Sequence, residues 1–222
     1  TVVGALDQII EPSPDRVPSP CPWSEGCGGC DLDGLAPPAR RAALAGFAQR
    51  AVRWPEPPPL VAAPTDTHRA RISLTLVDGR VGYRAPRSHD LVEPAHCGIA
   101  RPELATGLTT LRTWAATHGT EGLARCELRT DGERLVHAFT SAGSVPRALR
   151  DALPELGHVA LDGRAVSGDP TLTLTVRGCA LRVSPSSFYQ VNLEQNARLV
   201  DHVMDVLHRL RPEAMVDLYA GL

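Results

Sequence analysis

Three cysteines form a tight group near the start of the chain. Cys21, Cys27 and Cys30 follow the pattern C-x5-C-x2-C, and two glycines separate the last pair. This spacing lets three thiolates converge on one centre, which favours a soft metal ion or an iron–sulfur cluster over a disulfide. The glycines allow the backbone to turn sharply beside the sulfurs. The segment therefore predicts a metal centre, with a [4Fe–4S] cluster preferred and zinc as the alternative.

A fourth thiolate has to come from elsewhere in the chain, where Cys97, Cys126 and Cys179 are available. Cys97 follows the first predicted hairpin in a polar loop. Cys126 and Cys179 fall in strand patterns, where cysteine usually serves as a small core residue. Cys97 is therefore the predicted fourth ligand, and the other two are expected to lie in the core.

A second candidate site combines aromatic and amide side chains. Phe188, Tyr189, Gln190 and Asn192 lie together just before a helical pattern. A ring and an amide at these positions could contact a flat ligand. Asn192 or Gln190 could equally cap the helix that follows, because a side-chain oxygen at a cap accepts a hydrogen bond from a free backbone N–H. The residue types alone leave both interpretations open.

A third candidate lies near the end of the sequence, where Ala214–Gly221 reads as an apolar strand, at Met215–Tyr219, that closes in Asp and Gly. Such a passage from strand to loop is typical of the start of a nucleotide-cofactor domain, because glycine lets the backbone approach the ligand. A buried strand that ends at an ordinary turn is the alternative.

Helices and hairpins must position these groups. Helical patterns cover Pro38–Val52, Pro102–His118, Val145–Leu153 and a stretch that begins near Asn192. Alternating apolar residues and glycine-containing turns predict three antiparallel hairpins. Their strands are Arg71–Val77 with Arg80–Arg84, Glu127–Thr130 with Arg134–Phe139, and Thr171–Val176 with Ala180–Val183. The sequence thus predicts an α+β domain with a mostly antiparallel sheet.

The composition predicts a folded protein without a membrane span. Hydrophobic residues make up 43% of the 222 residues, which is enough for a sizeable core. No run approaches the roughly 18 apolar residues of a membrane-spanning helix. Residues 1–20 lack the apolar centre of a signal peptide. We therefore expect a soluble, cytoplasmic protein that is a monomer.

The charge gives only a weak indication of a nucleic-acid partner. The formal net charge is −2, whereas nucleic-acid binders usually carry a basic surface. All 23 basic residues are arginine, which is the better phosphate fork and base-stacking side chain. Residues 66–101 hold six arginines against four acidic residues, and three histidines lie among them.

Taken in order, these segments resemble the uracil-5 RNA methyltransferases, which methylate C5 of a uridine in tRNA or ribosomal RNA. The four cysteines resemble the iron–sulfur ligands of that family. Ser187–Asn192 resembles its F-x-Q-x-N element, and Asp217–Gly221 resembles its first cofactor motif. Further matches are the linker at Glu11–Val17 and a central signature at Gly82–Arg84, Ser88–His89 and Cys97–Ile99.

The resemblance implies four parts. Residues 1–20 would be the end of a TRAM domain, an OB-like oligonucleotide-binding barrel, and its linker. Residues 21–64 would be the cysteine-rich cluster-binding segment with a helix. Residues 65–191 would form a central α+β domain that binds RNA. Residues 192–222 would begin a Rossmann-like α/β domain that binds S-adenosylmethionine.

The resemblance also implies a covalent mechanism. A cysteine thiolate adds to C6 of uracil, C5 takes the methyl group of S-adenosylmethionine, and a base removes the C5 proton. In the family, that cysteine and a general-base glutamate lie well downstream of the first cofactor motif. We therefore expect the nucleophile beyond residue 222, and no activity from this truncated segment alone.

Roles for individual residues follow from the same resemblance. Gln190 and Tyr219 would contact the cofactor, and Asp217 and Gly221 would shape its loop. The residues expected to contact RNA are Phe188, Arg69, Arg71 and Arg84. The cluster would have a folding role, because it would tie the N-terminal segment to the central domain and methyl transfer needs no electron.

Two alternatives to an RNA methyltransferase stay open. The chain could be a non-catalytic RNA-binding protein with an iron–sulfur or zinc centre, such as a truncated paralogue. It could also be a metal protein related to the family only by descent. The stretch His68–Arg71 departs from the family's Y-R-N-R-A-R sequence, which weakens the expected RNA contacts there.

Overall fold

The computed structural model describes residues 8–62 and 67–218, and the chain divides into two compact units. The first unit ends at Ala62, and the second contains the residues that follow. The apolar stretch that starts at Val2, predicted as a final barrel strand, lies mostly outside the described residues. Within the described ranges, no helix combines the length and the apolar character that crossing a membrane requires.

The first unit contains one helix after a long irregular segment. Helix α1 spans Pro37–Val52 and begins with proline, whose fixed φ suits the first turn. It ends at Arg53 in the left-handed conformation, with φ of 53°. Only Ala45 of this helix is buried. An isolated antiparallel bridge joins Arg16 to Leu35 in the segment that precedes it.

A seven-stranded sheet forms the centre of the second unit. Its strands are β1 Arg71–Val77, β2 Arg80–Arg84, β3 Leu91–Val92, β4 Leu123–Thr130, β5 Leu135–Ser141, β6 His158–Leu161 and β7 Arg164–Ser167. Their spatial order is β3-β2-β1-β4-β5-β6-β7, and a separate two-stranded sheet pairs β8 (Leu172–Val176) with β9 (Cys179–Val183). Every pair is antiparallel except β5 with β6, which confirms the predicted antiparallel character.

The predicted hairpins form because their turns suit the twist of the strands. Asp78 and Gly79, between β1 and β2, both have positive φ, at 49° and 75°. Arg177 and Gly178, between β8 and β9, repeat this geometry with φ of 50° and 79°. A two-residue turn with both φ angles positive matches the right-handed twist of the strands that it joins.

Helices cover one face of the sheet and provide its main core. Helix α2 spans Pro102–His118, α3 spans Arg147–Ala152, and a 3₁₀ turn continues α3 over Leu153–Leu156. The indole Nε1 of Trp114 in α2 donates to the carbonyl oxygen of Ala152 at 3.1 Å. This bond satisfies a buried donor and joins the two helical segments.

A smaller core connects β5 to the two-stranded sheet. Its buried members are Ala70, Val136, Leu172, Leu174, Val183 and Tyr189. These residues are apolar at alternate positions of their strands, so one face of each strand contributes to this core. The loop after β9 is anchored here through Tyr189.

Helix α4 spans Leu193–Leu210 and begins at the predicted cap. The side-chain oxygen of Asn192 accepts from the backbone N–H of Gln195 at 3.0 Å, so the capping interpretation is confirmed for Asn192. None of the residues in α4 is buried. An amphipathic helix is stabilised mainly by burial of its apolar face, and α4 lacks that burial within the described residues.

The predicted strand that starts at Met215 does not form in the described residues. Residues 211–218 have no regular strand or helix, and Met215, Val216 and Leu218 are exposed. A β-strand needs a neighbour to satisfy its backbone groups, and none of the described strands pairs with this stretch. The expected start of a Rossmann-like sheet is therefore not seen there.

Candidate functional site

The loop after β9 carries the aromatic and amide residues that the sequence singles out. Ser184–Asn192 leads from β9 to the cap of α4. The Ser187 N–H donates to the Ser184 carbonyl oxygen at 3.1 Å, which closes a turn. The hydroxyls of these two serines lie 2.8 Å apart. These contacts within the loop therefore define its local conformation independently of its contacts with the sheet.

Arg129 fastens this loop to the sheet. The residue lies in β4 and is only 1% exposed. One guanidinium nitrogen donates to the carbonyl oxygens of Ser184, at 2.9 Å, and of Pro185. The other donates to the carbonyl oxygen of Ser187 at 2.6 Å. Three carbonyl groups of one loop thus share a single buried cation.

Tyr189 provides a second anchor for the same loop. Its side chain is buried, and its hydroxyl donates to the carbonyl oxygen of Ala70 at 2.9 Å. The guanidinium carbon of Arg129 lies 4.9 Å from the centre of the Tyr189 ring. Burial raises the pKa of Tyr189, although Arg129 opposes that effect, so the hydroxyl stays a hydrogen-bond donor at neutral pH.

The neighbouring ring of Phe188 is exposed instead. Phe188 is 64% exposed, which is unusual for a large aromatic side chain. The guanidinium carbon of Arg71 lies 5.4 Å from the centre of this ring, within the range of a cation–π contact. Arg71 also approaches Glu127, with 3.8 Å between Nη1 and Oε2. These contacts orient Arg71 beside the Phe188 ring.

A groove of about 490 Å³ opens beside Phe188. Its charged lining residues are Arg71, Glu127, Asp162 and Arg164. Its polar and aromatic lining residues are Phe139, Thr140, Ser186, Ser187 and Phe188. The walls come from β1, β4, β5, the turn between β6 and β7, and the loop after β9, so the groove lies entirely within the second unit.

The far wall of the groove carries an oriented carboxylate. Asp162 accepts from the backbone N–H of Ser141 at 2.9 Å and from its hydroxyl at 2.7 Å. These hydrogen bonds lower the pKa of Asp162, so the carboxylate is ionised at neutral pH. The groove can therefore offer a ring face, arginine donors and a carboxylate acceptor, a set that suits a nucleotide.

The four predicted RNA-contacting residues do not all lie together. Arg71 and Phe188 line the groove, but Arg69 and Arg84 are not among its lining residues. The Arg69 N–H donates to the Ile99 carbonyl oxygen at 2.8 Å, and the Arg84 side chain donates to the carbonyl oxygen of His89. Arg69 and Arg84 therefore lie in surroundings separate from the groove.

The predicted cofactor residues are only partly described. Gln190 has an exposed side chain and lies between Tyr189, which is anchored, and Val191, whose carbonyl oxygen accepts from the Ala70 N–H at 2.7 Å. Asp217 is exposed in the irregular stretch after α4. Tyr219 and Gly221 lie outside the described residues.

The six cysteines all lie in the described ranges, and none forms a disulfide there. Cys21, Cys27, Cys30 and Cys97 are half-buried. Within residues 8–62 and 67–218, no three side chains of His, Cys, Asp or Glu are grouped as metal ligands. The thiols of Cys21, Cys27 and Cys30 have the right chemistry for a cluster, but within the described part of the first unit they are not grouped as metal ligands.

The two remaining cysteines differ from each other. Cys126 is fully buried in β4, as predicted, and burial raises the pKa of its thiol well above the usual range. Cys179 is exposed at the start of β9, so the prediction that it is a core residue was wrong. The sequence pattern correctly placed Cys179 in a strand, but it did not show which face of that strand is buried.

Several residues of the site were not singled out in the sequence, above all the groove residues Arg164 and Ser186 and the loop anchor Arg129. Arg129 precedes the turn at Asp131 and Gly132 and resembles an ordinary strand arginine. In the structure, Arg129 is one of three buried residues at the end of β4. That burial depends on contacts with a loop more than fifty residues away, which no local pattern reveals.

Comparison with known proteins identifies relatives of the chain. No protein-family model matches the chain. The chain is 30% identical, over 98% of its length, to "23S rRNA (uracil(1939)-C(5))-methyltransferase RlmD" from Pectobacterium atrosepticum, and it covers 53% of that protein. A protein of the same name from Dichelobacter nodosus is 29% identical over 100% of the chain, which covers 56% of it. Over nearly its whole length, the chain is therefore similar to uracil-C5 methyltransferases of 23S rRNA.

The fold agrees with this similarity. The crystal structure of a Pyrococcus abyssi tRNA (uracil-54, C5)-methyltransferase with S-adenosyl-L-homocysteine aligns with a TM-score of 0.63 and 19% identity. The alignment covers 89% of this chain and 53% of the Pyrococcus chain. The chain spans about half the length of the curated relatives that it matches.

Proposed function

We propose that this chain is part of an enzyme that transfers a methyl group from S-adenosylmethionine to C5 of a uridine in ribosomal or transfer RNA. The proposal rests on one structural observation, the exposed Phe188 ring held beside Arg71 at the mouth of a groove. Sequence similarity supports it, because the relatives from Pectobacterium and Dichelobacter are named as uracil-C5 methyltransferases of 23S rRNA.

The role of the groove in this proposal is to hold an unstacked nucleotide. A base inside a helical stack hides the atoms that must react, so the target region has to be opened. Phe188 offers a ring face for a base, and Arg71 and Arg164 offer donors to the phosphate. Asp162 and Glu127 supply acceptors on the same walls.

The charges of the groove indicate how it would bind RNA. Its lining contains two arginines and two carboxylates, so the groove itself has no net formal charge. Affinity at this site should then depend more on stacking than on the release of counterions. This also reconciles an RNA substrate with a chain whose formal net charge is −2.

S-adenosylmethionine would supply the electrophilic methyl group. Within the chain, Gln190 is the described residue best placed to contact it, because the anchored backbone on either side fixes where the exposed amide starts. We propose the same cofactor role for Tyr219, and a loop-shaping role for Asp217 and Gly221. The family resemblance of Asp217–Gly221 supports these assignments.

The nucleophile that adds to C6 is proposed to lie outside these residues. The buried Cys126 has a raised pKa, which disfavours the thiolate that would attack. Cys179 lies on the β8–β9 hairpin and is not among the residues that line the groove. Cys21, Cys27, Cys30 and Cys97 are assigned to another task.

We propose that task to be ligation of a [4Fe–4S] cluster, with zinc as the lesser alternative. The spacing C-x5-C-x2-C and the half-burial of the four thiols support the proposal. The placement of the described side chains does not, so no step of the reaction is derived through the cluster. Its proposed contribution is to folding.

The remaining assignments follow the family. We propose that residues 1–20 end a TRAM domain, 21–64 form the cysteine-rich segment, 65–191 form the RNA-binding domain and 192–222 begin the cofactor domain. A monomeric, cytoplasmic protein fits an enzyme that modifies RNA. The Pro-rich segment at Glu11–Val17 supports the linker assignment.

Release of tritium from C5 of uracil tests the function directly, because methylation replaces the C5 hydrogen. The full-length protein that contains this chain, and with it the proposed nucleophile, is incubated with S-adenosylmethionine and with unmodified 23S rRNA or tRNA that is labelled at C5. Wild type is expected to release tritium from one of the two RNAs. Phe188→Ala is expected to lower kcat/KM about tenfold through lost stacking.

The matched control is Phe47→Ala, because Phe47 is also exposed but lies in α1 of the first unit. It should leave tritium release unchanged. Absence of release from both RNAs would contradict the proposed reaction. Equal losses in the two phenylalanine variants would contradict the assignment of the groove.

A further inference from the structure

Arg129 is a buried cation without a carboxylate partner. Among the described residues, no aspartate or glutamate forms an ion pair with it, although eight such pairs occur elsewhere in the chain. Its guanidinium instead donates hydrogen bonds to three carbonyl oxygens of one loop and lies over the face of the Tyr189 ring. These neutral partners accept hydrogen bonds from the two terminal guanidinium nitrogens without cancelling the charge, and among the described residues the buried Nε has no hydrogen-bond partner.

Stability alone gives a weak reason for such an arrangement. Taking a charge out of water is costly, and well-packed apolar residues in its place are often at least as stable. Geometry gives a stronger reason. A guanidinium is a planar fork with fixed donor directions, so it can fix several carbonyl groups at once. A lysine ammonium is a flexible point charge and lacks this property.

The carbonyl groups that Arg129 fixes lie directly before the functional part of the loop. Ser184, Pro185 and Ser187 accept from the guanidinium, and Phe188 follows at once. Tyr189 then turns inward against the same guanidinium. Because these contacts fix the backbone on both sides of Phe188, they determine where its ring lies relative to Arg71 and the groove.

We infer that Arg129 is a positioning residue for RNA binding, which holds the loop after β9 so that Phe188 presents its ring to an unpaired base. Arg129 is almost completely buried, so it acts through Phe188 and not by touching the base. This inference rests on the proposed function, because the proposal gives Phe188 its base.

The test compares Arg129→Lys and Arg129→Met with wild type and with Arg147→Met. Arg147 is an exposed arginine of α3, whose ion pair with Asp151 lies within that helix, so its loss removes a charge without touching the loop. Hydrogen exchange of the peptide over residues 184–192 reports how firmly the loop is held. The exchange of β4 serves as the internal check that the second unit is folded.

The second readout is a short single-stranded RNA with 2-aminopurine at its centre. Stacking on an aromatic ring quenches the fluorescence of this base, so wild type should quench it and Phe188→Ala should not. Both Arg129 variants are expected to bind the probe about tenfold more weakly and to lose the quenching. Their loop should exchange about tenfold faster, while β4 exchanges as in wild type.

Wild-type quenching and loop exchange in both Arg129 variants would overturn the inference. So would quenching lost to the same degree in Arg147→Met. If Arg129→Met does not fold, Arg129→Lys carries the test, since it retains the charge and removes only the fork. If wild type itself does not quench the probe, the proposed role of Phe188 fails, and loop exchange alone decides whether Arg129 fixes the loop.

Discussion

At the scale of single residues, two buried basic side chains differ in their charge at neutral pH. Arg129 stays charged and joins a loop to the sheet, whereas His137 is buried in the neighbouring strand β5 and stays neutral. Burial lowers the pKa of His137 to about 4, and the nearby Gly107 backbone offsets only part of that effect. Above that pH the neutral His137 ring packs inside the protein. Below that pH the ring is protonated, and the buried charge destabilises the fold.

The pKa of His137 predicts how stability depends on pH. The folded-state pKa of about 4 lies below the ordinary value of 6.5, so the unfolded chain binds more protons between these values. The part of the unfolding free energy that depends on a neutral His137 is fully present above pH 6.5 and is lost as the pH falls towards 4. Over this window His137 should cost wild type about 3 kcal/mol of unfolding free energy.

Urea denaturation at a series of pH values measures this loss. His137→Leu removes the titrating group, so its free energy of unfolding should fall less steeply than that of wild type below pH 6.5. His89→Leu alters an exposed histidine and should follow the wild-type curve. Parallel curves for wild type and His137→Leu would show that His137 does not titrate in this window.

At the scale of elements, local patterns foretold the hairpins and the helices. The β1–β2 strands and helix α2 have the boundaries that the sequence predicts, because alternation and turn residues lie within a few positions of each other. Asn192 caps α4 for the same local reason. The short strands β6 and β7 escaped prediction, since β6 joins the sheet by parallel pairing with β5 across a helical crossover.

In the candidate site, too, some residues could be predicted from the local sequence and others could not. Phe188 and Gln190 could be selected from their residue types, and Arg71 from its place in a basic segment. Arg129 and Arg164 could not, because their importance arises from contacts between distant parts of the chain. The strand from Met215 failed for a related reason, as strand propensity is realised only when a neighbour satisfies the backbone.

The junction of β2 and β3 offers a test at this scale. A Cβ on Gly82 would lie 2.9 Å from the carbonyl carbon of Val92 and still closer to its oxygen. Gly82→Ala should therefore push β3 from the sheet edge and lower the free energy of unfolding by about 1–3 kcal/mol.

Urea denaturation also measures this effect, with Gly143→Ala as the control. A Cβ at Gly143 would have no heavy atom within 4 Å, and this glycine does not need a positive φ. The control should differ little from wild type. A Gly82→Ala protein as stable as the control would mean that β3 moves aside at no cost.

At the scale of the whole molecule, the proposed cluster has a testable consequence. If four thiolates hold a [4Fe–4S] cluster, its binding free energy contributes to folding. Cys27→Ser should then lower iron and sulfide content, weaken the broad visible absorption of anaerobically purified protein, and lower the melting temperature. Cys179→Ser is the matched control, because Cys179 is exposed on the β8–β9 hairpin and has no proposed ligand role.

The outcomes separate the possible roles of the cysteines. If the purified protein contains zinc and no iron, the four cysteines form a zinc site and not a [4Fe–4S] cluster. Loss of the cluster with an unchanged melting temperature would contradict the folding role. Protein without any metal, purified without oxygen, would agree with the side-chain placement of the structure and remove the cluster from the proposal.

The walls of the groove come from positions as far apart as Arg71 in β1 and Phe188 after β9. A nascent chain emerging from the ribosome lacks the Phe188 wall until residue 188 has been synthesised, because translation proceeds from the N-terminus. If the groove holds RNA as proposed, a polypeptide that ends before this loop lacks the stacking ring and should bind RNA more weakly.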